Sequence, residues 1–378
     1  ITSTGNFGIG TTAPGATLEV VGNIIATGVN GFIASPYQIV APKGVAGVGT
    51  GDLTSVGTDA TGTTPRNVVV DPTGRFAYVA NYGSNTIQTY TINQSTGDLT
   101  SVGTDATGSN PRDTAIDPTG RFAYVVNNGS DTVQSYTIEQ TTGDLTSIGT
   151  VATGTSPWGV SVDPTGRFVY VANSSSTTVQ TYTINQATGA LTSVGTDAAA
   201  IGLKTAVVDP TGRYVFALNG GTVQTFTINQ TTGDLTSVGT DAVGSLPAEI
   251  AIDPTGRFAY VTESDDGKVR AFTINQSTGD LTYVELESGP TSATGIVVDP
   301  AGKYVYVTGS TTLQTYSINQ TTGGLTSIGT DTIGSGTYDI AVDPTGRFVY
   351  VTTGAPAVQT FAVNNFSVGS GYFAGNVG

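Results

Sequence analysis

The feature that most constrains this chain is a turn motif that recurs seven times. The tetrapeptide Asp-Pro-Thr/Ala-Gly, followed by Arg or Lys, begins at Asp71, Asp117, Asp163, Asp209, Asp253, Asp299 and Asp343. Successive copies are 46, 46, 46, 44, 46 and 44 residues apart, which is the length of one four-stranded blade of a β-propeller. The repeat therefore predicts one closed ring of seven blades.

Each repeat unit has the pattern of short strands joined by tight turns. In the first unit, Pro72 fixes φ for the second turn position and Gly74 permits positive φ. The segments that follow, 75–81, 86–93 and 99–102, are rich in β-branched and aromatic residues. Their polar/apolar alternation is weak, which is typical of sheets buried on both faces. We expect the blades to stack on one another and to form the core in this way.

The number of outer strands predicts how the ring closes. The Gly-x-Leu-Thr sequence of the outer strand occurs seven times, but its first copy, at Leu53, precedes the first turn motif, and no copy follows the last. Residues 53–56 should therefore pair as the fourth strand of the seventh blade, which removes two exposed sheet edges. The predicted fold is an all-β, seven-bladed β-propeller over 47–364, with short β-segments at 1–46 and 365–378.

A resemblance to a known family rests on the strand after each turn. Tyr78-Val79-Ala80-Asn81 and its equivalents follow Asp-Pro-Thr-Gly-Arg-Phe and resemble the YVTN-type repeats of lactonase-like seven-bladed propellers. The resemblance implies the same fold over 47–364. Family members with lactonase activity carry a Pro-His pair just before the turn, whereas this chain has Pro65-Arg66 and Pro111-Arg112 there and contains no His. From the missing His we expect no enzymatic activity and no catalytic residue.

The residues just before each innermost strand differ from blade to blade and form the candidate ligand site. Cations and aromatic rings that converge at the mouth of the central channel would suit an anionic or carbohydrate ligand; a mouth that is merely wet and variable is the alternative. With Asn67 and Asp113 beside them, the candidate residues are Arg66, Arg112, Trp158, Lys204, Glu249, Tyr338 and Asp339.

Net charge and composition exclude several classes of function. The net charge of -15 repels phosphate backbones, so we expect no nucleic-acid partner. No run of 18 apolar residues is present, so we expect no membrane span. Without Cys or His a metal would need oxygen ligands alone, and we expect neither a metal nor a cofactor.

The two flanks have a different pattern from the propeller. Gly5-Asn6-Phe7-Gly8 and the residues after it resemble the short β-modules of phage tail fibres and bacterial surface fibres, and 371–378 resemble the opening of such a module. Head-to-tail contact between unlike surfaces of identical units propagates as a filament. The predicted assembly residues are Phe7, Ile9, Leu18, Val20, Ile24, Val368, Tyr372, Phe373 and Val377.

Other motifs have simpler interpretations. The acidic segment 263–266 could hold Ca²⁺ through its carboxylates, but it lacks the calcium-loop spacing and includes competing cations nearby, so a solvated hairpin is favoured. The pair of Asp71 and Arg75 recurs in every unit, with Lys303 in place of Arg in the sixth, and indicates turn chemistry and not catalysis. Sequons in the turn before the outer strand are candidate glycosylation sites, at Asn93, Asn229, Asn275 and Asn319.

These observations favour three functions in order. The first is a structural subunit of an extracellular or cell-surface fibre, a homo-oligomer of propellers joined head-to-tail, with a trimeric stalk as a variant. The second is a surface-displayed adhesin that binds a glycan or anion at the channel mouth. The third is a lactonase-like hydrolase, which the missing His disfavours.

Overall fold

The computed structural model describes residues 51–364, which form 28 β-strands in seven four-stranded antiparallel sheets. Each sheet is one blade, and blades 1 to 7 are numbered by the order of their Asp-Pro turns. Within 51–364 no helix has the length and apolar character that crossing a membrane requires. The predicted flanks 1–46 and 365–378 lie outside this range.

The strands of each blade run from the channel outwards. The innermost strands are β2 (Pro65–Val70), β6 (Pro111–Ile116), β10 (Pro157–Val162), β14 (Thr205–Val208), β18 (Pro247–Ile252), β22 (Ile296–Val298) and β26 (Ile340–Val342). The second strands are β3 (Phe76–Asn81), β7 (Phe122–Asn127), β11 (Phe168–Asn173), β15 (Tyr214–Leu218), β19 (Phe258–Glu263), β23 (Tyr304–Thr308) and β27 (Phe348–Thr353).

The two outer layers complete the blades. The third strands are β4 (Thr86–Ile92), β8 (Thr132–Ile138), β12 (Thr178–Ile184), β16 (Thr222–Ile228), β20 (Lys268–Ile274), β24 (Thr312–Ile318) and β28 (Ala357–Asn364). The outermost strands are β5 (Leu99–Ala106), β9 (Leu145–Ala152), β13 (Leu191–Ala198), β17 (Leu235–Ala242), β21 (Leu281–Ser288), β25 (Leu325–Thr332) and β1 (Asp52–Ala60).

The outermost strands are longer than the sequence predicts. The predicted outer strand 99–102 continues to Ala106, because a bulge between Ser101 and Gly103 lets pairing with β4 resume beyond the glycine. The bulge adds one residue to the outer strand and increases its local twist.

Ring closure occurs as predicted. β1 pairs antiparallel with β28, with Leu53 opposite Val363, so the sheet order of blade 7 is β1-β28-β27-β26. Leu53 is 6% exposed and packs with Phe361, Val349 and other side chains of blades 6 and 7. The strand that comes first in the described sequence therefore completes the last blade.

Blade stacking is built on the second strand of each blade, which is buried along its whole length in β3 and its equivalents. Tyr78 is fully buried, and its hydroxyl donates to the carbonyl oxygen of Gly143 in the next blade at 2.9 Å. Gly143 has a φ of +81°, and a Cβ there would lie 2.5 Å from the ring of Phe76. Glycine is thus required twice, by its backbone conformation and by the ring packed against it.

The Asp-Pro-Thr-Gly turns are held by hydrogen bonds to the backbone. The carboxylate of Asp71 accepts from the amides of Arg75 and Phe76 at 2.7 Å and from Thr73 at 3.0 Å. Arg75 therefore engages Asp71 through its main chain, and its guanidinium lies 5.0 Å from the Phe76 ring centroid. This supports the interpretation of the repeated Asp and Arg as turn chemistry.

We expect Leu53→Ala to lower the free energy of unfolding by about 2–5 kcal/mol, because it leaves a cavity where the ring closes. The matched control is Thr54→Ala, at an exposed position of the same strand, for which we expect a change within about 0.5 kcal/mol. Urea unfolding measures both. Equal stabilities for the two variants would show that the closing strand contributes little.

Candidate functional site

The candidate site lies where the innermost strands begin. Strands β2, β6 and β10 each carry a register shift one residue after their first proline, at Arg66, Arg112 and Trp158. A bulge of this kind re-aims a side chain, and all three side chains line one cavity at the channel mouth. In each of these three blades the local sequence thus places one non-repeating side chain at the channel.

The cavity has a volume of about 260 Å³ and collects every predicted mouth residue. Its full lining is Arg66, Asn67, Arg112, Asp113, Trp158, Gly159, Lys204, Thr205, Ala248, Glu249, Ser264, Thr294, Tyr338 and Asp339. That these residues bind a ligand remains a prediction, whereas their convergence is observed.

Sequence reasoning missed Ser264, which it assigned to the acidic hairpin after β19. The Ser264 hydroxyl donates to the carbonyl of Ala293 at 2.8 Å, which draws the hairpin tip towards the channel. The remaining hairpin is a self-paired element: Arg270 Nε lies 2.5 Å from Glu263 Oε1. Among residues 51–364 no group of three or more acidic side chains is arranged to hold a metal ion.

Two arginines of the cavity are stacked on aromatic rings. Arg112 Cζ lies 3.1 Å from the ring centroid of Trp158, and Arg66 Cζ lies 4.0 Å from that of Tyr338. Burial, followed by the charge of Arg66, lowers the pKa of Arg112 to about 9. The Nε atoms of both guanidiniums are buried and have no hydrogen-bond partner within residues 51–364, and the rings hold the guanidinium planes.

Lys204 supplies the third cation of the cavity. Its ammonium group donates to the carbonyl of Pro247 in blade 5 at 2.7 Å. Burial, followed by the charge of Arg112, lowers the pKa of Lys204. The positive charge of the cavity therefore comes from blades 1, 2 and 4, with Trp158 of blade 3 between the last two.

Three partly buried carboxyl groups face these cations, and each links two blades. Asp113 accepts from the Val160 amide of blade 3, Glu249 from the Ile296 amide of blade 6, and Asp339 from the Val68 amide of blade 1, each at 2.9 Å. Because each carboxyl oxygen reaches an amide of the next blade, the three groups tie innermost strands together around the channel.

Burial raises the pKa of all three carboxyl groups. The pKa of Asp113 rises to about 6 and that of Asp339 to about 7, the latter also through the charge of Asp113. The pKa of Glu249 is raised well above its usual range by burial and by the charge of Asp339. The side-chain amide of Asn67 donates to both Asp113 and Asp339, at 2.8 and 2.9 Å.

The other candidate sites separate into two groups. The sequon residues Asn93, Asn229, Asn275 and Asn319 lie in exposed turns, and the Asn93 side-chain oxygen accepts from two turn amides. Their glycosylation stays a prediction. The predicted assembly residues all lie outside 51–364, so a homo-oligomer and an extracellular location also stay predictions.

The structure defines a class: a closed seven-bladed β-propeller with a charged cavity at one mouth of its channel. The sequence profile of the family described as "Lactonase, 7-bladed beta-propeller" matches residues 47–114, 109–208 and 201–290, which together span more than half of the chain. The chain belongs to this family. No curated protein matches it in sequence.

Solved structures with the same fold carry several names. A protein from Bacteroides uniformis, provisionally named a 6-phosphogluconolactonase, is 23% identical, with a TM-score of 0.68 over 78% of this chain and 91% of that one. The periplasmic gluconolactonase of Pseudomonas aeruginosa is 21% identical, with a TM-score of 0.67 over 82% and 92%. Kuenenia stuttgartiensis hydrazine synthase is 18% identical, with a TM-score of 0.65 over 84% and 99%. These similarities show the fold.

Family membership corrects the functional interpretation of the sequence. The prediction of a structural fibre subunit, its adhesin alternative and the prediction that the chain is not an enzyme are contradicted by the lactonase family match and by neighbours named as lactonases. The error has a physical cause. The missing His does not by itself remove acid/base chemistry, because burial raises the pKa of Asp113 to about 6 and that of Asp339 to about 7.

The raised pKa values predict how stability depends on pH. In the unfolded chain Asp titrates near pH 3.9, so between about pH 4 and pH 7 the folded state binds more protons than the unfolded state. The free energy of unfolding should therefore fall as pH rises through this window. Asp339→Asn should make the decline shallower in urea unfolding series, whereas the exposed Asp266→Asn should not. Parallel curves for wild type and Asp339→Asn would contradict this.

Proposed function

We propose that this chain is a lactone hydrolase whose active site is the charged cavity at the channel mouth. The observation that carries the proposal is the presence, in a member of the lactonase family, of partly buried carboxyl groups with raised pKa beside cations in one cavity. Carboxyl groups with pKa values near the working pH are effective general acids and bases.

Glu249 is the best-placed general base. Its Oε2 is held by the Ile296 amide at 2.9 Å, and among residues 51–364 no hydrogen bond is donated to its Oε1. This oxygen can take a proton from a water molecule, whose oxygen then attacks the lactone carbonyl carbon. The ring C–O bond breaks as a proton passes to the ring oxygen, and the product is an open hydroxy acid.

Asp339 can supply that proton. The negative charges of Glu249 and Asp339 repel each other in a site that is partly shielded from water. The pair therefore retains a proton near neutral pH. One member is then ionised while the other is protonated, the arrangement that hydrolysis requires of a base and an acid. The pair takes the acid/base role that a His residue has in other family members.

The cations favour a substrate with negative charge. Arg66 and Arg112 stand beside the carboxyl groups with their guanidiniums stacked on rings, where they can stabilise the oxyanion that develops on the carbonyl oxygen. The same charges can bind a phosphate on the substrate. The names of the structural neighbours suggest glucono-δ-lactone and its 6-phosphate as probes.

Glu249→Gln tests the proposal directly. Gln keeps an oxygen for the Ile296 amide but cannot accept the proton from water, so we expect kcat for glucono-δ-lactone or its 6-phosphate to fall roughly 10²–10⁴-fold. The wild type should show a bell-shaped pH profile. Spontaneous hydrolysis is subtracted, and unfolding curves confirm that the variant is folded. Wild-type protein that hydrolyses neither lactone above background would refute the proposal.

Arg112→Gln tests the role of the cations. Loss of a charged hydrogen bond costs about 1.5–3 kcal/mol, so KM for the 6-phosphate should rise roughly 10–100-fold, with a smaller change for the unphosphorylated lactone. Arg75→Gln, at the opposite end of the innermost strand, is the matched control. An equal effect on both lactones would assign Arg112 to the reacting carbonyl and not to the phosphate.

A further inference from the structure

The seven loops that enter the innermost strands share an unusual backbone conformation. The residue seven positions before each Asp-Pro turn has a positive φ in every blade: Thr64 (53°), Asn110 (56°), Ser156 (55°), Gly202 (81°), Leu246 (46°), Ser292 (53°) and Gly336 (72°). Five of the seven are Gly, Asn or Ser. Thr64 and Leu246 are strained at positive φ, because Thr is β-branched and Leu is bulky, and Leu246 is the only apolar residue of the set that carries a side chain.

The preceding position in each loop shows a second exception. Six blades have Ser or Thr there, and blade 4 has Ile201: the set is Thr63, Ser109, Thr155, Ile201, Ser245, Thr291 and Ser335. Ile201 is 84% exposed and Leu246 is 54% exposed. Neither side chain is needed to fill a core. Ile201 lies in blade 4 and Leu246 in the neighbouring blade 5. Backbone strain without burial points to a role outside folding.

Neither residue lines the cavity, but each is connected to a residue that does. The carbonyl of Leu246 accepts from the amide of Ser264, a cavity-lining residue, at 3.1 Å. The ammonium of Lys204, three residues after Ile201, reaches the carbonyl of Pro247. The other large exposed apolar residues of 51–364 lie on outermost strands: Val102, Val238, Tyr283 and Leu286.

Two neighbouring blades present small side chains to the cavity. At the position where other blades present Arg66, Arg112, Trp158, Lys204 or Tyr338, blade 5 presents Ala248 and blade 6 presents Thr294. A ligand held by the cations of blades 1 and 2 therefore meets less side-chain bulk in blade 5, the blade that carries Leu246.

We infer that the substrate is a lactone with an apolar alkyl or acyl substituent. Its carbonyl group, where negative charge develops during hydrolysis, lies beside the cations of the cavity, and its apolar chain lies on Ile201 and Leu246. This inference rests on the proposed hydrolase function. Contact between apolar groups stabilises the complex as methylene groups leave water, and does so less at an exposed rim. The two residues are then determinants of chain-length specificity.

A series of γ-lactones with alkyl chains of none, two, four and six carbons tests the inference. We expect kcat/KM of the wild type to rise roughly 10-fold or more from the shortest to the longest lactone. In the double variant Ile201→Thr, Leu246→Asn this ratio should fall close to one. The replacements are those of blades 3 and 2, and Asn tolerates positive φ better than Leu, so the variant should fold. Val238→Thr, which removes an exposed apolar side chain from β17, is the control.

Binding of the same lactones to Glu249→Gln by calorimetry separates the inference from the proposed function. Affinity that grows with chain length and is lost on adding the double substitution supports the apolar rim, even if hydrolysis of every lactone fails. Hydrolysis without dependence on chain length overturns the inference and leaves the proposed function standing. Absence of both turnover and chain-dependent binding overturns both.

Discussion

Contact between neighbouring blades is the interaction on which the whole structure depends. Each second strand is buried on both faces. In five of the seven blades its tyrosine hydroxyl reaches a glycine carbonyl in the next blade, as Tyr78 does to Gly143 and Tyr350 does to Gly97. No blade can bury both of its faces alone, so stability requires a complete circle. The pairing of β1 with β28 satisfies that requirement, and it makes the last blade depend on a strand from the other end of the propeller sequence.

The same requirement creates the site. Asp113, Glu249 and Asp339 each accept a hydrogen bond from an amide of the next blade, so their partial burial follows from a structural role. Burial then raises their pKa values. The proposed acid/base role therefore uses groups that also hold the innermost strands together. Structural and chemical roles are combined in these side chains, which is why Glu249→Gln, which keeps the amide contact, separates the two roles better than Glu249→Ala.

The sequence predicts the fold and the position of the site better than it predicts the chemistry of the site. The seven Asp-Pro turns and the displaced Leu53 strand determine blade number and closure, because both follow from spacing. The mouth residues could be found because they are where the repeat varies. Ser264 could not, since its place depends on how a hairpin tip leans towards the channel. The proposed role of Glu249 could not be predicted for a similar reason: composition reveals that His is absent, but only burial in the folded chain raises the pKa values of carboxyl groups.

The bulges at Arg66, Arg112 and Trp158 have a consequence for how such proteins change over time. Each bulged residue is an extra residue in its strand. Its side chain is therefore not part of the alternating pattern of side chains that packs one blade on the next. Mutation at these positions changes the side chains that line the channel mouth and leaves the packing of the blades intact. A repetitive ring can therefore acquire new substrates through a few independent replacements, one blade at a time.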